Sequence, residues 1–398
     1  MKVLIADKLS KDAVTALETL GLEVSVQPEL TAEKLPEVIG DTNILIVRST
    51  KVTAKTFDAG KALSLVIRAG AGVNTIDLAT ASAKGVYVAN CPGKNTAAVA
   101  ELTIGLLIAA DRRIGNATIG LREGKWEKKE YGKSRGLKGR TLGILGLGNI
   151  GKSVAQRAKG LEMNVIAWDG FWLTPELAEE NGVGYAASPE ELAAASDAVT
   201  VHLAASPDSQ HMINKAFLDK MKDGAILINA SRGELVDTEA LKAAILQKGL
   251  RVALDVYENE PAATANEFAQ TDLAAMVTCT PHIGASTDQA ADAIAEEAVR
   301  IVDTFLKTGH PVGTVNVCKQ SPATHSLVLR HLNRAGILAS VLQAIREEGI
   351  NVEEIENTIF DGAVAASCSI LLDQAPSEKL LASVAANDSV LNVMLNER

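Results

Sequence analysis

The chain has 398 residues, 47% of them hydrophobic and only 3% aromatic, and a formal net charge of −10. That length holds two or three domains with cores built mostly from Ala, Val, Ile and Leu, and the acidic balance argues against a nucleic-acid footprint and for a solubility role. Four scattered cysteines (Cys91, Cys279, Cys318 and Cys368) without a CxxC spacing read as reduced thiols of a cytoplasmic protein, and the six histidines show no metal-ligand spacing. The opening apolar run, residues 3–6, is short and is followed by Asp7, so it reads as a strand and not as a signal peptide. The longest apolar stretch, 102–110, has nine residues. A membrane span needs about twenty, so the stretch reads as a buried helix.

In chain order, residues 3–6, 23–26, 44–47, 66–68 and 86–89 are short apolar or β-branched runs separated by helical stretches such as 11–20. This is the rhythm of a parallel α/β sheet. From residue 142 the rhythm restarts, with six candidate strands at 142–145, 164–168, 198–202, 225–229, 252–254 and 277–280. Six parallel strands complete a doubly wound sheet. A long Ala-rich helix is predicted over 288–307, and the Gly/Pro-punctuated segment 308–324 reads as a linker. The last 75 residues differ: strand 326–330, helix 336–348, strands 352–360 and 364–372 joined at Asp361-Gly362, helix 377–385 and strand 390–395. That order is βαββαβ, a ferredoxin-like unit. The expected fold class is α/β, with two doubly wound parallel-sheet domains and this smaller C-terminal domain.

The most specific motif is Gly146-Leu-Gly148-Asn149-Ile150-Gly151, between strand 142–145 and a helix. Gly146 allows a tight turn, Gly148 lets a pyrophosphate approach the backbone, and Gly151 lets helix and strand pack closely. The helix start offers N–H groups to the phosphates. Asp169 ends the next strand, where a carboxylate accepts from the adenosine ribose hydroxyls and repels a 2′-phosphate, so NAD is the expected cofactor. Three further motifs follow strand ends: Asn229-Ala230-Ser-Arg232-Gly233, Asp255-Val-Tyr-Glu-Asn-Glu260-Pro261 and Thr280-Pro281-His282-Ile283-Gly284. An Arg after small residues can present a rigid fork to a carboxylate, and a His beside Pro and Gly at a strand end is a candidate acid/base.

Together these motifs resemble the D-2-hydroxyacid dehydrogenases, from the first strand to about Val317. Arg68-Ala-Gly70-Ala71-Gly72-Val-Asn-Thr-Ile-Asp77 and Asn95-Thr96 through Ala100-Glu101 carry the same resemblance. The resemblance implies three domains: 1–96 with 285–317 binding substrate, 97–284 binding the dinucleotide, and 324–398 regulating. It implies that His282 takes the proton of the substrate 2-hydroxyl, that Glu260 orients His282 and favours its protonated form, and that Arg232 holds the carboxylate and carbonyl oxygen. Ala204, Ala230 and Asp255 join Gly146, Gly148, Asn149, Ile150, Gly151 and Asp169 around the cofactor. Within the family the chain looks like the members that oxidise D-3-phosphoglycerate to 3-phosphohydroxypyruvate at the start of L-serine synthesis. That implies that Arg48, with Ser49 and more weakly Arg68, meets the phosphate, while the Gly70-Ala71-Gly72 backbone holds the carboxylate. For Arg48 a solvated surface charge is the alternative. Leu203-Ala204-Ala205 after His202, and Gly170 after Asp169, depart from the family pattern.

The last unit resembles an ACT domain, a small-molecule-binding module. His331, Asn333 and Asn351 fall where such enzymes bind L-serine across a domain–domain interface, and Asn333 and Asn351, bracketing the first helix, are expected to converge on one ligand. Ala335 departs from the usual Pro. A homo-oligomer, dimer or tetramer, is implied, with no nucleic acid, membrane or metal. A glyoxylate or hydroxypyruvate reductase, and a non-catalytic NAD-sensing corepressor or scaffold, are the alternative readings.

Overall fold

The computed structural model describes residues 1–261 and 265–398. They form two compact units, Met1–Asn316 and Val317–Arg398.

The first unit contains two parallel sheets. One is built from β1 (Lys2–Ile5), β2 (Glu23–Val26), β3 (Ile44–Val47), β4 (Leu65–Arg68) and β5 (Tyr87–Asn90), in the order β2-β1-β3-β4-β5. All four residues of β3 are buried, as expected of a continuous apolar run in a sheet covered on both faces. On one face Val3, Ile5, Ile44 and Ile67 pack with Leu17 and with Ile294, Ala298, Ile301 and Val302. Those last four belong to the helix Asp288–Thr308, capped by the Thr287 hydroxyl at Ala290 N and closed by left-handed Gly309. The chain therefore leaves this sheet after β5 and returns about 200 residues later to cover it.

The second sheet comprises β6 (Thr141–Leu145), β7 (Asn164–Trp168), β8 (Gly184–Tyr185), β9 (Ala198–Val201), β10 (Ile226–Asn229), β11 (Arg251–Leu254) and β12 (Thr278–Cys279), in the order β12-β11-β10-β9-β6-β7-β8. The order reverses between β6 and β9, and this switch point is where α/β sheets bind ligands. The sheet has seven strands where the sequence suggests six. The extra one, β8, is two exposed residues without an apolar run. The helix Thr96–Arg112 is buried, as expected, with Leu106 and Leu107 against Leu142, Ile144, Ile226 and Ile228.

The expectation of a free linker over 308–324 is corrected in its first half. Val315 N donates to Val88 O (2.8 Å), Asn90 N to Gly313 O (3.2 Å), and the Asn316 amide accepts from Val88 N and donates to Val86 O. Residues 313–316 thus run along the open edge of β5, capping a row of backbone groups that would otherwise be unpaired.

The second unit has β13 (His325–Leu332), the helix Ile337–Glu347, β14 (Val352–Ile359), β15 (Ala365–Leu372), the helix Glu378–Ala385 and β16 (Val390–Glu397). The sheet is antiparallel in the order β14-β15-β13-β16, which makes the expected βαββαβ unit. Both helices cover one face, where Leu327, Leu329, Cys368, Ile370 and Leu372 meet Val341, Ile345, Leu380 and Val384.

Candidate functional site

The glycine motif lies at the switch point. Gly146 turns with φ 92°, and a Cβ there would lie 2.8 Å from the His202 carbonyl oxygen. A Cβ on Gly151 would drive into the Gly146 carbonyl oxygen, so helix and strand touch through backbone alone. Gly148 differs: nothing lies within 4 Å of its Cβ position. It opens the helix Asn149–Gly160, which has no side-chain cap. Free N–H groups therefore face an open, Cβ-free cradle, the form a diphosphate requires. Asn149 is exposed beside it and Ile150 half-buried. Asp169 is 8% exposed, and its carboxylate is aimed by Leu147 N (3.0 Å) and Phe171 N (3.1 Å). Its remaining lone pairs suit ribose hydroxyls. Ala204 is exposed after β9, its carbonyl held by the Ser209 hydroxyl (2.8 Å), and Ala230 is buried after β10. The residues present fit NAD.

At the same C-terminal end of the strands, after β10, β11 and β12, stand the other three motifs. Glu260 Oε1 lies 2.5 Å from His282 Nδ1. This bond raises the His282 pKa above its ordinary value, outweighing the lowering by burial, and Asp255 adds to the rise while Arg232 opposes it. His282 sits at φ 52°, a left-handed conformation, with its side chain 46% exposed. Asp255 fixes that turn. It is buried, and its carboxylate accepts from the Thr280 hydroxyl (2.6 Å), Ile283 N (2.8 Å) and Gly284 N (2.8 Å). Expected at the cofactor, Asp255 therefore spends these bonds on the loop that carries His282. Tyr257 joins the same frame, its hydroxyl donating to Thr280 O (2.8 Å). A Cβ on Gly233 would enter the Tyr257 carbonyl group, so the loop after Arg232 lies directly on the loop before Glu260.

Arg232 is half-buried and reaches across to the other sheet, its Nη2 lying where a Cβ of Gly72 would be. Arg68 Nη1 similarly occupies the space over Gly70. Burial pushes the Arg68 pKa down, and the nearby Arg232 and Arg48 guanidiniums push it further. Arg68 Nε is buried and has no partner. The guanidiniums of Arg48 and Arg232 thus both act on that of Arg68, a cost that a bound polyanion would relieve. The 48–50 turn is tied down by Asp7, whose Oδ2 accepts from Arg48 N, Ser49 N and Thr50 N at 2.7–3.1 Å. Ala71 is half-buried, and its carbonyl accepts from the Asn90 amide (2.5 Å). Sequence reasoning did not single out Asp7, Tyr257 or Asn90. Only Asp7 carried a signal, as an acid just past a strand end.

The C-terminal unit departs from its expectation. His331 is 2% exposed on the helix-covered face, its ring nitrogens engaged by Leu332 O (2.8 Å) and Asn357 Oδ1 (3.2 Å). Asn333 is exposed and donates to Ala363 O (3.1 Å); Asn351 is exposed and donates to Glu353 Oε1 (2.7 Å). The two Asn do not converge within one chain. Along β15, Leu332 pairs with Ala365 and Val352 with Leu372, so Asn333 and Asn351 lie at opposite ends of an eight-residue strand. That is about 25 Å at 3.3 Å per residue. The helix between them makes a parallel crossover, which places its two ends apart.

A dinucleotide cradle and a hydrogen-bonded imidazole at the same C-terminal end of the strands suit a reaction that moves a hydride and a proton together, and the protein is an NAD-dependent oxidoreductase. Residues 104–284 match the model of the D-isomer specific 2-hydroxyacid dehydrogenase NAD binding domain. The chain is 35% identical over 386 residues to a D-3-phosphoglycerate dehydrogenase of Methanocaldococcus jannaschii, covering 96% of this chain and 72% of that protein. It is 39% identical over 302 residues to a hydroxypyruvate reductase of Thermotoga maritima, covering 75% of this chain and 96% of that one. The solved structure of an NAD+-bound 3-phosphoglycerate dehydrogenase from Entamoeba histolytica superposes with a TM-score of 0.66 at 29% identity, covering 80% of this chain and 99% of that one. The chain spans 58% to 64% of the length of other relatives that carry the phosphoglycerate dehydrogenase name. The chain belongs to the D-isomer-specific 2-hydroxyacid dehydrogenase family, and it is an NAD-dependent D-2-hydroxyacid dehydrogenase.

Proposed function

We propose that this dehydrogenase oxidises D-3-phosphoglycerate to 3-phosphohydroxypyruvate, the entry to L-serine synthesis. The observation that carries the reading is the convergence of Arg48, Arg68 and Arg232, with a buried Arg68 Nε left without a partner. A 2-hydroxy acid with a single carboxylate calls for one such group. A substrate carrying a carboxylate at one end and a phosphate at the other calls for more.

In this reading Arg232 holds the carboxylate and the oxygen that becomes the carbonyl, helped by the Gly70-Ala71-Gly72 backbone. Arg48, Ser49 and Arg68 face the phosphate. His282 accepts the 2-hydroxyl proton at Nε2, because Nδ1 is taken by Glu260. Glu260 then stabilises the imidazolium so formed. NAD supplies the hydride acceptor. Arg232 and His282 come from loops on either side of the one that carries Glu260, the first packed on it at Gly233 and the second bonded to it through His282 Nδ1, so both serve the same reacting group with little reorganisation. The division of labour expected for 1–96 with 285–317, 97–284 and 324–398 belongs to the same proposal.

The βαββαβ unit acts as an ACT-like L-serine sensor, with Asn333 of one copy and Asn351 of another completing the site. That requires a homo-oligomer. The apolar residues Ile114, Ile119, Leu121 and Trp126, 48–79% exposed on the arm after the helix Thr96–Arg112, support one. The test of the substrate is Arg48→Ala. Its kcat/KM should fall about 10²-fold for 3-phosphohydroxypyruvate but less than about threefold for hydroxypyruvate, as expected on losing one charge-assisted contact to the phosphate. An equal loss on both substrates would remove Arg48 from the phosphate site.

A further inference from the structure

A second His–Glu pair stands beside the first. His211 Nε2 lies 2.7 Å from Glu258 Oε1, both side chains partly exposed. Glu258 is two residues before Glu260, and the residue between them, Asn259, is left-handed with φ 55°. A left-handed residue redirects the chain sharply, so the aim of Glu260 depends on how firmly residue 258 is held. It is held from several sides. Glu258 Oε2 accepts from Thr238 N (3.4 Å), and Glu258 O accepts from the Gln270 amide (2.5 Å). Gly233 packs against its backbone nitrogen. Partial burial raises the Glu258 pKa, but the bonds from His211 and Thr238 outweigh it and hold the carboxyl below its ordinary value. His211 is itself fixed, in a left-handed conformation (φ 49°) with its N–H on Glu234 O (2.9 Å). It closes the loop that begins after β9 and carries Ala204.

We infer that the His211–Glu258 pair is a positioning device, holding the turn at Asn259 so that Glu260 meets His282, and tying the loop that carries Ala204 to the acid of the proton relay. The inference rests on the reading of Glu260 and His282 as that relay. Neither His211 nor Glu258 is placed against substrate.

The test follows the pH profile of kcat/KM in the reducing direction. There the His282 ring must carry a proton, so activity falls as pH rises through its raised pKa. Loosening Glu260 lets that pKa relax downward, and the limb moves to lower pH. Glu258→Ala and His211→Ala should each lower kcat about 5- to 20-fold and move the limb down by roughly half a unit. Substrate KM should stay within about twofold of the parent. Glu258→Gln keeps one acceptor oxygen for His211 and gives up only the longer contact from Thr238 N, so it should recover part of the rate and of the limb. A limb unmoved in both alanine variants, or a Gln variant as impaired as Ala, overturns the inference. Glu260→Gln run in parallel separates the two levels. If its limb does not move, the relay reading fails. If its limb moves and those of the alanine variants do not, only the positioning pair fails.

Discussion

Replacing Gly72 by Ala should separate catalysis from folding. The added methyl falls well inside van der Waals distance of Arg232 Nη2, and its next neighbour, Asn74 Oδ1, is at a tolerable 3.4 Å. Carbon–nitrogen contacts settle near 3.5 Å or more, so the guanidinium must retreat by on the order of 1 Å. The atom that moves is the far end of a flexible side chain, so the fold accommodates the change, and Tm should stay within about 3 °C. The substrate carboxylate meets a displaced fork, however, and misplacement of about 1 Å costs up to roughly 10²-fold in rate. We expect kcat/KM to fall about 10- to 10²-fold, which is about 1.4–2.7 kcal/mol of transition-state binding, with NADH affinity intact. Steady-state kinetics, NADH fluorescence titration and thermal melts on one preparation would show it. Gly233→Ala is the contrasting control. Its methyl enters the Tyr257 carbonyl group, which is backbone and cannot swing away, so stability should fall by about 1–3 kcal/mol or more. A Gly72→Ala enzyme with kcat/KM within threefold of the parent would refute the placement of Arg232 at the reacting end of the substrate.

Three further outcomes are expected. His282→Ala should lower turnover by about 10²- to 10⁴-fold with NADH binding unchanged, since only the proton relay is lost; stopped-flow single-turnover kinetics would check it, and a rate within tenfold of the parent would remove His282 from the mechanism. Asp169→Asn should narrow the preference for NAD over NADP by about tenfold, because the charge that repels a 2′-phosphate is gone; an unchanged kcat/KM ratio for the two cofactors would place that selectivity elsewhere. L-serine at millimolar concentration should inhibit the parent, and Asn333→Ala and Asn351→Ala should each abolish inhibition while leaving the rate near normal; since the two residues lie at opposite ends of β15, an equimolar mixture of the variants should recover partial inhibition if each site is shared between two copies.

What the sequence disclosed follows from where its information lies. The cradle at Gly146, Gly148 and Gly151 is local, because one strand, one turn and one helix start contain all of it, and the motif could be read directly. The strand-end positions of Arg232, Glu260 and His282 were legible for the same reason. Their mutual contact was not, since it depends on the sheet order bringing β10, β11 and β12 side by side. Strand β8 escaped notice because two exposed residues make no hydrophobic pattern. Residues 313–316 looked like linker because Gly309, Pro311 and Gly313 punctuate the stretch, while their attachment to β5 runs through backbone groups that every residue carries and one Asn side chain. The role of Asp7 was hidden because its three partners are backbone N–H groups 41 to 43 residues away. The separation of Asn333 from Asn351 is a matter of topology. Residues that bracket a helix are close in sequence logic, but the crossover puts them at opposite ends of the sheet.

The most direct test of the substrate reading is an initial-rate comparison of D-3-phosphoglycerate, D-glycerate and D-lactate, each with NAD and with NADP. Two guanidinium contacts to the phosphate at about 1.5–3 kcal/mol each predict a kcat/KM for D-3-phosphoglycerate at least about 10²-fold above the unphosphorylated acids, with NAD preferred. Equal or greater efficiency with D-glycerate or D-lactate would contradict the assignment of the arginine cluster to a phosphate.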